Sequence, residues 1–154
     1  MELTTYVDVD ATPAEVWAVL TDVDRYPEWN PFMRIAGRVN EGARLHVELT
    51  PPEGRSARFR PTVVRVDPER ELRWRGKLWL PGLFDGDHRF VVEDAGDGRT
   101  RVTHSESFFG ALTPLVWRFI GASTEAGFEA MNAALKQRVE SGVATPSHTG
   151  TQAN

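Results

Sequence analysis

Residues 113–140 read TPLVWRFIGASTEAGFEAMNAALKQRVE, which is the pattern of one long amphipathic helix. Thr113 followed by Pro114 is a typical helix start. Apolar and small residues then recur every three or four positions, at Val116, Phe119, Ile120, Ser123, Gly127, Met131, Leu135 and Val139. The pattern predicts a helix of about seven turns with one face turned to a core.

Most of the chain before this helix alternates between apolar and polar residues, which is the period of half-buried β-strands. We expect six strands here, over residues 32–39, 45–50, 57–66, 72–78, 87–93 and 100–109. The third of these loses its phase near Pro61, which has no N–H to donate to a central ladder. A β-bulge is therefore expected at that position.

The N-terminal part of the chain predicts one more strand and two short helices. Residues 2–9 alternate in the same way and open the fold as a strand, which makes seven strands in all. Thr12, Pro13 and Glu15 form a capping-box pattern, so a helix should begin at Pro13. A second short helical segment that begins near residue 21 should end before Pro27.

This order of elements predicts an α+β domain over residues 1–141, with helix segregated to one face of an antiparallel sheet. A long twisted sheet around one helix leaves space that glycines such as Gly76 and Gly127 do not fill. We expect a cavity of roughly 300 to 1,000 Å³ between Met131 and Trp74. Residues 142–154 are almost free of apolar side chains, which predicts a disordered polar tail.

Composition excludes several classes of function. The 154 residues, 40% of them hydrophobic, suffice for one domain with one core. Eighteen basic against twenty-two acidic residues give a net charge of −4, which disfavours nucleic acid as a partner. The absence of cysteine excludes disulfides, thiolate metal sites and cysteine nucleophiles. No leader-like start and no long apolar run is present, so we expect a cytoplasmic protein without a transmembrane segment.

Four stretches of the chain resemble one known superfamily. They are ATPAEVWAVLTD at residues 11–22, YPEWNPF at 26–32, DPERELRW at 67–74 and GRTRVTH at 98–104. Together with the closing helix they are similar to the SRPBCC superfamily of START-like and polyketide-cyclase-like proteins, over about residues 1–141. The resemblance implies a helix-grip fold, in which a seven-stranded curved sheet grips the C-terminal helix around a largely apolar ligand cavity. It implies no single reaction, because members include lipid carriers, hormone receptors, cochaperone domains and aromatase/cyclases.

Three polar residues stand out in the hairpin over residues 87–109. Pairing about the turn at Gly96 brings His88 opposite His104 or Glu106, and apolar neighbours on the same faces point all three toward the helix. They are then candidates for the few polar groups of an apolar pocket. Three alternatives stay open: a structural hydrogen-bond cluster, exposure after a one-residue slip, and a metal triad. We assign no metal, no other cofactor and no catalytic residue.

Aromatic and aliphatic side chains are expected to contact the ligand together with these three polar residues. The complete set of expected contacts is Trp29, Phe32, Phe59, Trp74, Leu78, His88, Phe90, His104, Glu106, Phe108, Phe128, Met131 and Leu135. Each apolar member can instead serve only the core. The apolar loop with Pro81, Gly82, Leu83 and Phe84 is expected to gate the cavity, with the loop at residues 51–54 as the opposing lip.

The function favoured by this sequence is binding of a small hydrophobic molecule, such as a lipid or a polyketide, by a monomer or homodimer. The first alternative is an aromatase/cyclase-type enzyme in which His104 or Glu106 is the acid/base group. The second is a cochaperone-like interaction domain whose cationic strand face docks an acidic partner; that face carries Arg58, Arg60, Arg73, Arg75 and Lys77. Phosphate-binding glycine loops and G-x-S-x-G elbows are absent from the sequence.

Overall fold

Eight strands and three α-helices form the part of the chain that the structure, a computed structural model, describes: residues 1–78 and 82–143. In order they are β1 (Glu2–Val9), α1 (Pro13–Thr21), α2 (Tyr26–Trp29), β2 (Met33–Ala36), β3 (His46–Leu49), β4 (Ala57–Phe59), β5 (Thr62–Asp67), β6 (Glu71–Leu78), β7 (Phe84–Gly96), β8 (Arg99–Phe109) and α3 (Thr113–Val143). A 3₁₀ turn at Val23–Arg25 joins α1 to α2.

The strands form two antiparallel sheets, a five-stranded one in the order β1-β8-β7-β6-β5 and a three-stranded one in the order β2-β3-β4. The α+β class and the long C-terminal helix on an antiparallel sheet are confirmed. The prediction of seven strands in one sheet is wrong. The segment predicted as one strand over residues 57–66 divides at Pro61 into β4, which pairs with β3, and β5, which pairs with β6.

Pro61 explains this division. It cannot donate to a ladder, but its carbonyl accepts a hydrogen bond from the backbone N–H of Leu45 at 2.9 Å, so the chain passes from one sheet to the other at this residue. The register shift that was expected near Pro61 lies instead between Val63 and Arg65 of β5. Proline therefore ends one strand here, and the bulge follows within the next.

The start of α1 is the one that the sequence predicts. Thr12 caps the helix: its hydroxyl accepts from the backbone N–H of Glu15 at 3.4 Å, and its own N–H donates to the Glu15 carboxylate at 2.8 Å. The short helical turn predicted to end before Pro27 is the 3₁₀ turn at Val23–Arg25, and α2 follows it directly as a helix that the sequence did not predict. Pro27 lies in the first turn of α2, where a missing N–H costs no helical hydrogen bond.

Helix α3 packs against β1 and β8 through the second half of its length. Phe128, Met131, Leu135 and Val139 are buried there against the five-stranded sheet. The helix continues to Val143, beyond the predicted end near Glu140. Residues 144–154 lie outside the described residues, so the polar tail stays a prediction. Within the described ranges, no helix is long and apolar enough to cross a membrane.

Replacing Leu135 by alanine should lower the free energy of unfolding by about 2–5 kcal/mol, because the side chain is completely buried and its removal leaves a cavity. Urea unfolding followed by circular dichroism measures the change. The matched control is Gln137→Ala on the exposed side of the same helix, which should change stability by no more than about 0.5 kcal/mol. Equal effects of the two substitutions would contradict the burial of this helix face.

Candidate functional site

A cavity of about 790 Å³ lies between the first half of α3 and both sheets. Its described walls include Leu49, Ala57, Phe59 and Pro61 near the three-stranded sheet, Trp74, Gly76, Phe84, Gly86, Glu106 and Phe108 on β6 to β8, and Phe119, Ile120, Ala122, Ser123, Thr124 and Ala126 on α3. The volume falls in the expected range. The position differs from the expected one, because the cavity lies along residues 119–126 of α3, which precede Met131.

Side-chain size along α3 accounts for this position. At Ala122, Ser123 and Ala126 the helix presents short side chains toward the sheets and leaves them apart. One turn later the ring of Phe128 fills the gap and stacks on His104, with centroids 3.8 Å apart. Gly127 is required at this transition, since a Cβ there would collide with the ring of Phe32. The helix is thus close to the sheet in its second half only.

The cavity walls contain part of the predicted contact set. They include Phe32, Phe59, Trp74, Glu106 and Phe108, and also Phe84 of the predicted gate. The loop at residues 51–54, expected as the second lip, also lines the cavity and continues to Arg55. Ile120, Ser123 and Thr124 were interpreted only as parts of a long helix. The run of small residues from Gly121 to Ser123 is the sequence signal that could have marked them.

The other predicted contacts lie behind these walls. Phe90, His104, Phe128, Met131 and Leu135 are completely buried, and His88 is almost so. None of these six lines the cavity. They form the core beneath it, where the helix and the sheet are too close to leave space.

Trp29 belongs to the junction between the short helices and β2. Its ring packs on Tyr26, with centroids 5.0 Å apart. The neighbouring Asn30 side chain accepts hydrogen bonds from the backbone N–H groups of Phe32 and Met33, at 3.0 and 2.9 Å. This motif therefore acts on the cavity by placing the Phe32 ring in its wall.

The predicted gate is described in part. Pro81 lies outside the described residues, and Leu78 is described only as the last residue of β6. The carbonyl groups of Gly82 and Leu83 accept hydrogen bonds from the backbone N–H groups of Ala111 and Leu112, at 3.0 and 2.9 Å. The end of this loop is thereby tied to the residues that precede α3.

A chain of hydrogen bonds leads from the cavity into the core. Glu106 Oε2 lies 3.2 Å from His88 Nδ1, and His88 Nε2 lies 3.0 Å from His104 Nε2. His104 Nδ1 lies 3.0 Å from Asn132 Oδ1 on α3. The Asn132 amide donates to Thr5 on β1 at 2.8 Å. This polar chain, Glu106–His88–His104–Asn132–Thr5, joins three strands to the helix.

Aromatic rings hold both imidazoles in place. His104 lies between Phe128 and Phe90, with centroids at 3.8 and 4.4 Å. His88 stacks on Trp74 at 4.7 Å with the rings 2° from parallel. In the register of the hairpin His88 lies opposite Glu106, while Phe90 lies opposite His104. The ring planes are thus determined by packing on both sides, which favours one hydrogen-bond geometry.

Burial dominates the electrostatics of His104. Removal from water, and then the proximity of His88, hold the pKa of His104 well below its ordinary value, although its hydrogen bond to Asn132 acts in the opposite direction. The ring is therefore neutral at pH 7. The two Nε2 atoms face each other, and the described residues contain no group of three His, Asp or Glu side chains that could hold a metal ion.

Glu106 is the member of this polar chain that reaches the cavity. Its Oε2 atom contacts His88, and its Oε1 atom lies over Gly86, where a Cβ would come within 2.6 Å of it. Gly86 therefore provides the space that the carboxyl group occupies. Ser123 and Thr124 also line the cavity, but their hydroxyl groups donate to the carbonyl of Ile120 at 3.0 and 2.8 Å.

The cationic outer face of the sheet is paired within the chain. Arg73 donates to both oxygens of Asp87, at 2.6 and 2.7 Å, and Arg75 donates to one of them at 2.6 Å. Burial raises the pKa of Asp87, but these two guanidinium groups outweigh it and leave the pKa below its ordinary value. Arg58 pairs with Glu48 at 3.2 Å. These arginines are already partnered before any acidic protein approaches.

Comparisons with known proteins agree with this architecture. The family model described as "Polyketide cyclase / dehydrase and lipid transport" matches residues 1–140. No curated protein sequence is a significant match.

Several solved structures share the fold. The Zhui aromatase/cyclase from Streptomyces sp. R1128 has a TM-score of 0.79 at 16% identity, covering 96% of this chain and 98% of that chain. A point mutant of norcoclaurine synthase from Thalictrum flavum, in complex with a transition-state analogue, gives 0.72 at 17%, covering 94% and 96%. A START superfamily protein from Mycobacterium smegmatis gives 0.67 at 19%, covering 91% and 97%. At these identities the likeness establishes the fold alone.

The depressed pKa of His104 should make the protein less stable as the pH falls below about 6.5, the ordinary value of histidine in an unfolded chain. In that range the unfolded chain binds a proton that the folded chain does not, which lowers the free energy of unfolding by up to about 1.4 kcal/mol per pH unit. Urea unfolding at about pH 7.5 and about pH 5.5 measures this slope.

The matched variants are His104→Gln and His46→Gln, since His46 is exposed on β3. His104→Gln should have a shallower slope than the wild type, while His46→Gln should keep the wild-type slope. A His104→Gln protein with an unchanged slope would show that the pKa of this ring is not lowered in the folded state.

Proposed function

The chain belongs to the polyketide cyclase / dehydrase and lipid transport family, and from this premise we propose that it binds a small hydrophobic molecule in the cavity between α3 and the two sheets. The match supports the resemblance to the SRPBCC superfamily that the sequence indicates. The observation that carries the proposal is the cavity itself, which at about 790 Å³ has the size of a small-molecule site.

The chemistry of the cavity wall favours an apolar ligand. Phe59, Trp74 and Phe108 supply aromatic surface, and Leu49 and Ile120 supply aliphatic surface. Burial of apolar area drives such binding without a requirement for charge pairing. The described polar side chains of the wall are those of Glu53, Arg55, Lys77, Glu106, Ser123 and Thr124, and the last two already donate to the carbonyl of Ile120.

The rigidity of the wall also supports binding. Pro51, Pro52 and Pro61 restrict the backbone on one side, and the strands β6 to β8 form a continuous ladder on the other. A preformed cavity binds with a smaller loss of conformational entropy than one that must be ordered by its ligand.

A second candidate function is acid/base catalysis of the aromatase/cyclase type, and the position of Glu106 favours it. This residue presents one carboxyl oxygen to the cavity and is backed by His88 at 3.2 Å, which is within the distance over which a proton is shared. His104, the other residue considered for this role, lies behind His88 and acts on a ligand only through it. Catalysis would require hydrogen-bond contact between the Glu106 carboxyl and the reacting atom.

Docking of an acidic partner on the outer sheet face receives less support. Arg73 and Arg75 already share Asp87, so a partner carboxylate would have to displace a bidentate pair from within the chain.

A neutral hydrophobic dye, Nile red, should bind to the wild-type protein with increased fluorescence. Ser123→Trp should weaken this binding by at least about tenfold, because a large ring at this position of α3 fills the cavity. Saturating dye should also raise the free energy of unfolding, by about 2.7 kcal/mol at one hundred times the dissociation constant.

The control is Gln137→Trp, which adds the same ring to the same helix outside the cavity. It should bind the dye as the wild type does. If both tryptophan variants bind with wild-type affinity, the dye occupies another surface and the proposal fails.

A further inference from the structure

The direction of the hydrogen bonds in the polar chain is determined from the end that is far from the cavity. The hydroxyl group of Thr5 donates its single proton to the backbone carbonyl of His104 at 3.2 Å. It can therefore only accept from its second neighbour, the side-chain amide of Asn132 at 2.8 Å. This requirement turns the Asn132 amide so that Nδ2 faces Thr5 and Oδ1 faces His104.

The same argument determines which nitrogen atoms of the two imidazoles carry protons. Asn132 Oδ1 accepts only, so His104 Nδ1 carries the proton that lies between them. His104 has no exposed surface, and burial between two phenylalanine rings favours the neutral ring. Its Nε2 atom then holds a lone pair and accepts from His88 Nε2 at 3.0 Å. The proton of that bond therefore belongs to His88.

This assignment leaves a definite arrangement at the cavity end. His88 Nε2 is then the donor to His104. The contact between His88 Nδ1 and Glu106 Oε2 at 3.2 Å requires one further proton, because a lone pair on the nitrogen would otherwise face a lone pair on the oxygen. Either the carboxyl group donates to a neutral imidazole, or an imidazolium donates to a carboxylate. In both arrangements the proton lies on the Oε2 side, and Oε1 is without one.

We infer that Glu106 Oε1 is a hydrogen-bond acceptor fixed in the cavity wall, and that the ligand is an apolar molecule with an O–H or N–H group positioned over Gly86. This inference rests on the proposed function and specifies the chemical class of its ligand: a phenol, an enol, an alcohol or an amine. A ligand without such a donor would cover Oε1 and leave it unpaired.

The surroundings of Oε1 make this preference strong. Trp74, Phe84 and Phe108 line the cavity together with Glu106 and present apolar surface to a ligand. The described residues donate no hydrogen bond to Oε1, whereas the other oxygen of the same carboxyl group contacts His88. A ligand that covers Oε1 without donating to it leaves an acceptor buried and unpaired, which is costly, whereas a ligand with a donor avoids this cost.

A pair of probes that differ in one proton tests the inference. The compounds 1-naphthol and 1-methoxynaphthalene have the same aromatic body, but only the first donates a hydrogen bond. Isothermal titration calorimetry should show 1-naphthol bound about tenfold more tightly by the wild type. Glu106→Leu should bind both compounds with similar affinity. Gly86→Ala should weaken the preference, because the added Cβ displaces Oε1.

Glu106→Gln tests the direction of the polar chain. Its amide should donate from Nε2 to His88 Nδ1 and leave the carbonyl oxygen toward the cavity, so the preference for 1-naphthol should persist. If His88 Nδ1 were instead the donor, the glutamine would turn its NH₂ group to the cavity, where the oxygen of either probe can accept from it, and the preference for 1-naphthol would be lost. That result would overturn the assignment of His88 Nδ1 as an acceptor in this variant, while the acceptor role of Oε1 in the wild type is tested by the comparison with Glu106→Leu.

Thr5→Ser and Thr5→Val in the Glu106→Gln background form a matched pair. Serine keeps the hydroxyl that orients Asn132 and should retain the preference, while valine removes the hydroxyl and should reduce it. Circular dichroism and urea unfolding confirm that each variant is folded. If the wild type binds 1-naphthol and 1-methoxynaphthalene with equal affinity, as Glu106→Leu is expected to do, the inference is wrong and the proposed function stands. If the wild type binds neither of these probes nor Nile red, both the inference and the proposed function are wrong.

Discussion

The hydrogen bond between His104 and Asn132 is the contact on which the arrangement of helix and sheet depends. It joins the middle of β8 to the second half of α3 in a region where both side chains are buried. A buried polar group must keep its partner, so the helix cannot move away from the sheet here without a large cost. Above this contact the helix surface changes from large residues to small ones, and the space that opens is the cavity.

The sequence predicted most elements because their signals are local. The capping box at Thr12, the alternation over residues 72–78 and the three-and-four spacing in α3 each depend on neighbours along the chain. The division at Pro61 was missed because the loss of phase there is also typical of a bulge within one strand, and alternation does not specify which strand is the partner. Helix α2 was missed because Pro27 was interpreted only as a limit on the preceding turn, whereas proline is also compatible with the first turn of a new helix.

The sequence predicted which side of the sheet the polar residues of the candidate site occupy, but not whether each residue lines the cavity or lies in the core behind it. The pattern placed His88, His104 and Glu106 on the side of the sheet that faces α3, and there they lie. Periodicity carries no information about the distance between helix and sheet, so Met131 and Leu135 were expected beside a ligand and are found in the core. Asn132 and Thr5 were passed over, although Thr5 is a polar residue on the inward side of β1, between Leu3 and Val7. A polar residue at such a position is a signal for a buried partner.

The division of the strands at Pro61 bears on how the shape of the cavity can change. Leu49, Ala57 and Phe59 form cavity wall from a sheet whose ladder is separate from that of β5 to β8 and β1. Substitutions at Leu49, Ala57 or Phe59 can therefore change the shape of the cavity while the strand register of the larger sheet stays as it is. The width of the cavity on this side is thus adjustable at three positions that take no part in the pairing of the larger sheet.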